Sequence, residues 1–141
     1  MTSASYLGRP DKTPSIRGDG NYFRSLSFIL TGSESHHKLI RDLIIEHMST
    51  PATSAKLEDY LRQNPQIYLE ESEMQNLGTW ATDAEVLAST LVLQIDIEVY
   101  SKFGDRYCWQ RYYCDHRRLS ESALYFRNQS VHFEPVLSIK R

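Results

Sequence analysis

Two segments of this chain carry residue types that could do chemistry together. One is Arg17-Gly18-Asp19-Gly20-Asn21-Tyr22-Phe23-Arg24-Ser25-Leu26-Ser27; the other is Val131-His132-Phe133-Glu134-Pro135-Val136. In the first, a Gly-Asp-Gly-Asn turn runs directly into an amphipathic helix. Its glycines allow backbone positions with positive φ. Free N–H groups at a helix N-terminus favour an anion above the turn, and the helix dipole adds to the effect. Such a turn can stabilise an oxyanion or bind a phosphate, and a cysteine at the first helical position would have its pKa lowered by the same field. Taken alone, the plainer account is that Asp19 and Asn21 cap the helix.

In the second segment, His132 sits on an alternating strand and Glu134, two residues on, shares its face. That spacing lets a carboxylate reach the imidazole and fix its tautomer, as the residue that orients a general base must. By itself a strand histidine is more often structural, and Glu134 is as readily a surface carboxylate near a strand end.

The elements that must hold these segments follow from periodicity. Residues 1–15, with Gly8, Pro10 and Pro14, show no period and read as a flexible, extended N-terminal arm, leaving 16–141 as one domain. Phe23, Leu26, Ile29 and Leu30 predict a helix over 22–30, stopped at Gly32. Ser35 can cap a second helix with Leu39, Ile40, Leu43, Ile44 and Met48 on one face, ending before Pro51. Ala55–Leu61 reads as a short helix closed by Asn64-Pro65, and 66–76 as a polar stretch with a helical turn. Thr82–Leu93 is a helix with Ala84, Leu87, Ala88 and Leu91 buried.

The period then changes to two. Ile95, Ile97 and Val99 alternate with Asp96 and Glu98, a half-buried strand. Lys102-Phe103-Gly104-Asp105 reads as a hairpin turn into an aromatic strand over 107–113. Two short strands, 124–126 and 131–133, would be joined by Asn128-Gln129. Helices first and strands last argue for an α+β fold with helices packed on a mostly antiparallel sheet.

Composition narrows the function. A chain of 141 residues is one domain by size. Its 40% hydrophobic and 24% charged content are those of a soluble globular protein. A net charge of −2 gives no global field for a nucleic-acid backbone, so nucleic acid is not expected as a partner. No apolar run approaches the ~20 residues of a membrane span, and no signal peptide is visible. Two cysteines, Cys108 and Cys114, are too few for a disulfide scaffold and point to a reducing, cytoplasmic or nuclear setting. Cys108, Cys114 and His116 fit no metal-ligand spacing, so no metal or cofactor is expected.

Taken jointly, the motifs resemble the ovarian-tumour (OTU) family of cysteine deubiquitinases. Asp19-Gly20-Asn21-Tyr22-Phe23-Arg24-Ser25 is similar to the family's Asp-Gly-Asn-Cys-aromatic-Phe-Arg-Ser/Ala pattern, except that no cysteine stands between Asn21 and Tyr22. Thr79-Trp80-Ala81-Thr82-Asp83-Ala84-Glu85 resembles the Trp-Gly/Ala-x-x-x-Glu segment before the family's central helix, and His132-Phe133-Glu134-Pro135-Val136 its terminal His-aromatic-acidic segment. The three occur in the family's order over residues 16–137. The resemblance implies a papain-type cysteine protease fold, a monomer, and ubiquitin or a ubiquitin-like protein as partner. It implies Asp19 and the amides of Gly20 and Asn21 at the oxyanion site, His132 as general base, Glu134 orienting it, and Trp80 lining a channel for the substrate's C-terminal tail.

The activity implied is that of a thiol-dependent deubiquitinase whose cysteine is expected directly after Asn21. Three accounts of its absence stay open: a modified or engineered residue passed over by the coded sequence; a catalytically dead module that binds ubiquitin; or Tyr22 in the cysteine's place with a deletion beyond it. The last would rotate the helix by about 100° and spoil a register that otherwise matches. Cys108 and Cys114 lie far along the chain and cannot substitute.

Overall fold

The computed structural model describes residues 2–4, 7–16, 21–76, 81–115, 122–129 and 132–140. The first helix, α1 (Asn21–Thr31), buries Tyr22, Phe23 and Leu26. It stops at Gly32, whose φ of 81° suits a residue without a Cβ, and the Gly32 amide closes on the Phe28 carbonyl at 2.8 Å. Ser33, not Ser35, then acts as cap: its hydroxyl accepts from the Ser35 amide and opens a single 3-10 turn, Glu34–His36. This turn delays α2 to His37–Met48.

The buried stripe of α2 is Ile40, Arg41, Ile44 and Met48. Leu39 and Leu43, expected inside, are 68% and 41% exposed. Arg41 takes the inner position because two groups receive it. Its guanidinium lies 4.4 Å above the Phe23 ring and donates to the Met74 carbonyl at 2.7 Å, so the buried cation is stacked and hydrogen-bonded.

Pro51 begins a helix as well as ending one: α3 spans Pro51–Leu61, four residues longer at its start than expected. Asn64-Pro65 likewise opens α4 (Pro65–Ser72), where the Asn64 side chain accepts from the Gln66 amide at 2.8 Å. The central helix, α5 (Asp83–Leu93), is buried on most sides through Ala84, Glu85, Val86, Ala88, Ser89 and Thr90, while Leu87 and Leu91 are only half-buried. The expected stripe is therefore too narrow: α5 has packing partners on several sides.

Five strands form the main sheet: β1 (Thr2–Ala4), β3 (Asp96–Phe103), β4 (Arg106–Tyr112), β5 (Ala123–Gln129) and β6 (His132–Pro135), in the order β1-β4-β3-β5-β6. Every neighbouring pair is antiparallel except β3 and β5. A second sheet pairs β2 (Arg9–Lys12) with β7 (Ser138–Lys140). The stretch expected as a free arm is thus extended but paired, and the Trp109 indole donates to the Gly8 carbonyl at 2.8 Å to hold it over the sheet. Asn128 and Gln129 are strand residues rather than a turn, paired with Phe133 and His132, so the connection falls at residues 130–131, outside the described residues.

One face of the main sheet, with Ile97, Val99, Tyr112, Phe126 and Phe133, joins the helices in the core. The opposite face is also covered near β3. Asp96 and Glu98, expected half-exposed, are both fully buried, and Arg111 on β4 bridges them at 2.7 and 3.5 Å. Among the described residues, no helix is long and apolar enough to cross a membrane, and no group of three or more metal-ligating side chains converges.

Candidate active site

Helix α1 is anchored to β6 by its first turns. The Tyr22 ring meets Phe133 edge-on at 5.1 Å, Phe23 at 5.2 Å and Phe126 at 5.5 Å, and Ser25 Oγ donates to the Phe133 carbonyl at 2.9 Å. The Tyr22 hydroxyl donates to Ser89 Oγ on α5 at 2.9 Å, and Ser89 Oγ donates in turn to the Glu85 carbonyl at 2.7 Å. Burial raises the Tyr22 phenol pKa well above the ordinary range. Tyr22 is only 1% exposed, so it cannot stand in for a nucleophile that must meet substrate. The account that put Tyr22 in the cysteine's place fails on this packing.

With Tyr22 and Phe23 fixed inward, Asn21 is the residue at the N-terminus of α1, directly before the aromatic pair. No thiol stands there. Cys108 is half-buried within β4, and Cys114, just beyond that strand, is buried with its amide donating to Asp96 Oδ1 at 3.0 Å. β4 lies three strand spacings from β6, about 14 Å.

His132 opens β6 and is half-buried, opposite Gln129 of β5. Glu134 lies two residues on, so the strand's pleat gives both the face opposite Phe133. Glu134 is 7% exposed, and Arg127, its direct partner on β5, binds Oε1 through Nε at 3.1 Å and through Nη2. Asp19, Gly20 and Trp80 lie outside the described residues, as do the turn residues Arg17 and Gly18.

A cavity of about 400 Å³ opens beside β6, lined by Tyr60, Ala81, Thr82, Asp83, Asn128 and Phe133 among others. The N-terminus of α5 forms one wall and is held by a capping box. Thr82 Oγ1 accepts from the Ala84 amide, Glu85 Oε1 accepts from the Thr82 amide at 2.7 Å, and the Tyr68 hydroxyl donates to both Glu85 oxygens at 2.7 and 2.9 Å. Burial raises the Glu85 pKa against these stabilising hydrogen bonds. Thus Glu85 is structural: it fixes the start of α5 at its Thr82 cap.

Polar groups on the cavity wall are mainly acceptors. Asp83 takes hydrogen bonds from Tyr60 (3.2 Å) and Tyr112 (3.0 Å). Burial, followed by the Asp83 charge, pushes the Tyr60 phenol up to about 12. Asn128 Oδ1 is buried with no hydrogen-bond partner among the described residues. Of these acceptors, both Asp83 oxygens are therefore engaged and Asn128 Oδ1 is left open.

Sequence reasoning brought Asn21, His132 and Glu134 to neighbouring elements. It missed Arg127, Asn128, Asp83 and Tyr60. Arg127 had one usable signal, because a hairpin register centred on residues 130–131 puts it opposite Glu134.

Helices packed on a mostly antiparallel sheet, with α1 anchored to the edge strand β6, make this an α+β architecture. No family model and no curated relative matches the sequence. Solved structures do match. They include the viral OTU domain protease of Dera Ghazi Khan virus, with 22% identity, a TM-score of 0.68 and coverage of 88% of this chain and 78% of that one. The OTU domain of OTUD1 has 18% identity and a TM-score of 0.72, over 89% and 85%. An OTU deubiquitinase from Wolbachia pipientis wMel, in a structure bound to ubiquitin, has 13% identity and a TM-score of 0.67, over 89% and 94%. The chain has the fold of an OTU domain.

Proposed function

We propose that this protein is a ubiquitin-directed OTU module that, as its sequence stands, holds ubiquitin or a ubiquitin-like protein without cleaving it. The observation that carries the reading is the register of α1. Tyr22, Phe23 and Leu26 are locked in the core, so the turn into α1 is held against β6 with Asn21 directly before Tyr22 and no cysteine between them. Without a thiol at that turn, the attack on an isopeptide carbonyl has no nucleophile. The cavity beside Phe133 supports the binding half: Asn128 Oδ1, open on its wall, could accept from an amide of an extended C-terminal tail. The OTU proteins of Wolbachia pipientis wMel and Hazara virus, which share the fold, are described bound to ubiquitin.

The second reading is the thiol-dependent deubiquitinase, and one observation favours it. His132 and Glu134 share a face of the strand on which α1 packs, an arrangement that a binding surface alone does not require. In that mechanism the imidazole would take the thiol proton, then return it to the leaving lysine amine, and water would resolve the thioester.

One experiment separates them. The chain and a variant with cysteine inserted between Asn21 and Tyr22 are each mixed with isotope-labelled ubiquitin, a ubiquitin carrying a C-terminal alkyne electrophile, and a set of diubiquitins. The expected result is specific shifts in the ubiquitin tail with both proteins, and adduct or cleavage with the insertion variant only. Diubiquitin cleavage by the unaltered chain would establish the second reading. No binding of ubiquitin or ubiquitin-like proteins by either folded protein would remove both.

A further inference from the structure

Glu134 is an expensive residue to place where it is. Its side chain is 10% exposed, and a buried carboxylate needs a partner to remain there. Arg127 supplies it from β5, the next strand in, with Nε and Nη2 both directed at the single oxygen Oε1. Two N–H groups on one oxygen hold that oxygen in place, and the planar guanidinium restricts how the carboxylate pivots about it.

Register puts this clamp next to His132. Arg127 faces Glu134 directly and Gln129 faces His132, so Arg127 and His132 are diagonal neighbours on one sheet face. Diagonal cross-strand residues sit about 7–8 Å apart, within reach of long side chains. The other charged groups near this row are engaged or further off. Lys102 lies two strands in, and Arg24, the single charged residue of α1, is turned to Glu34 at 3.8 Å.

We propose that Arg127 is a positioning residue for His132: by binding Oε1 of Glu134 it aims that carboxylate along the strand at the imidazole and so fixes which ring nitrogen carries the proton. This rests on the reading of His132 and Glu134 as part of the site. A glutamate alone has enough rotamers to leave the imidazole unguided. The cross-strand arginine removes that freedom.

The test is nitrogen NMR of the histidine side chains in the unaltered chain and in Arg127→Gln, Arg127→Lys and Glu134→Gln, reading the ring-nitrogen shifts of His132 at neutral pH. The expected result is one dominant tautomer in the unaltered chain, a mixture in Arg127→Gln and Glu134→Gln, and partial recovery of the dominant form in Arg127→Lys. Backbone amide spectra confirm that each variant is folded, and the lysine variant keeps a cross-strand cation if the glutamine variant does not fold. A mixture in Glu134→Gln with Arg127→Gln unchanged overturns the role of Arg127. An unchanged tautomer in both glutamine variants overturns the orienting role of Glu134 itself, which is a failure of the site reading.

Discussion

Tyr22 decides the frame on which the functional argument stands, and removing it has a calculable cost. The ring contacts three other aromatic rings at 5.1–5.5 Å, is 1% exposed, and ends in a hydroxyl bonded to Ser89 Oγ at 2.9 Å. Tyr22→Phe keeps the ring and loses one buried hydrogen bond, about 1 kcal/mol. Ser89 Oγ still donates to the Glu85 carbonyl, so no unpaired donor is left behind. Tyr22→Ala also loses the buried ring and leaves a cavity, which for aromatic-to-alanine changes costs about 3–5 kcal/mol. For a domain of this size the first change lowers Tm by roughly 3 °C and the second by roughly 10 °C or more. Urea unfolding of the three proteins, followed by tryptophan fluorescence, measures both. If Tyr22→Ala costs less than about 1.5 kcal/mol, Tyr22 is not the anchor of α1. The helix is then free to turn, and the turn before it is not held against β6.

Two further perturbations follow from buried groups. The Glu98 pKa is raised, chiefly by burial and secondly by Asp96, against the lowering effect of Arg111. A carboxyl whose folded pKa is raised binds its proton more tightly in the folded state, so its contribution is intact below the unfolded pKa and is lost as pH rises towards the folded one. Glu98→Gln should therefore gain stability relative to the unaltered chain across that interval, at no more than about 1.4 kcal/mol per pH unit; denaturant midpoints at several pH values test this, and a difference independent of pH refutes it. Burial, followed by the Asp83 charge, raises the phenols of Tyr60 and Tyr112, and Asp83→Asn removes the second cause. Absorbance titration should show phenol ionisation shifted to lower pH, and a curve superimposable on the unaltered protein's would count against the Asp83 contacts.

The helix ends at Gly32 and before Pro51 and the helix start at Thr82 were legible because each depends on one residue's backbone preference or one cap, whereas the starts at Pro51 and Pro65 were not. The inner faces of α2 and α5 were not legible either. Burial of Arg41 depends on Phe23 and on the Met74 carbonyl, 18 positions before and 33 after it in the chain, and no local period encodes such partners. Asp96 and Glu98 mimic an exposed edge in sequence, and only their shared contact with Arg111 on the neighbouring strand explains their burial.

For the site, residue identity alone set out the chemistry on offer: Gly-Asp-Gly-Asn ahead of a helix, a His-x-Glu strand, and no cysteine between Asn21 and Tyr22. Residue identity is a local property, so those facts needed no fold. Tertiary structure decided what identity cannot. Tyr22 is core, Cys108 lies strands away from β6, and Arg127 faces Glu134. Each of these is a distance between segments remote in sequence, set by how α1, β5 and β6 pack. Such distances emerge only when the chain has closed on itself.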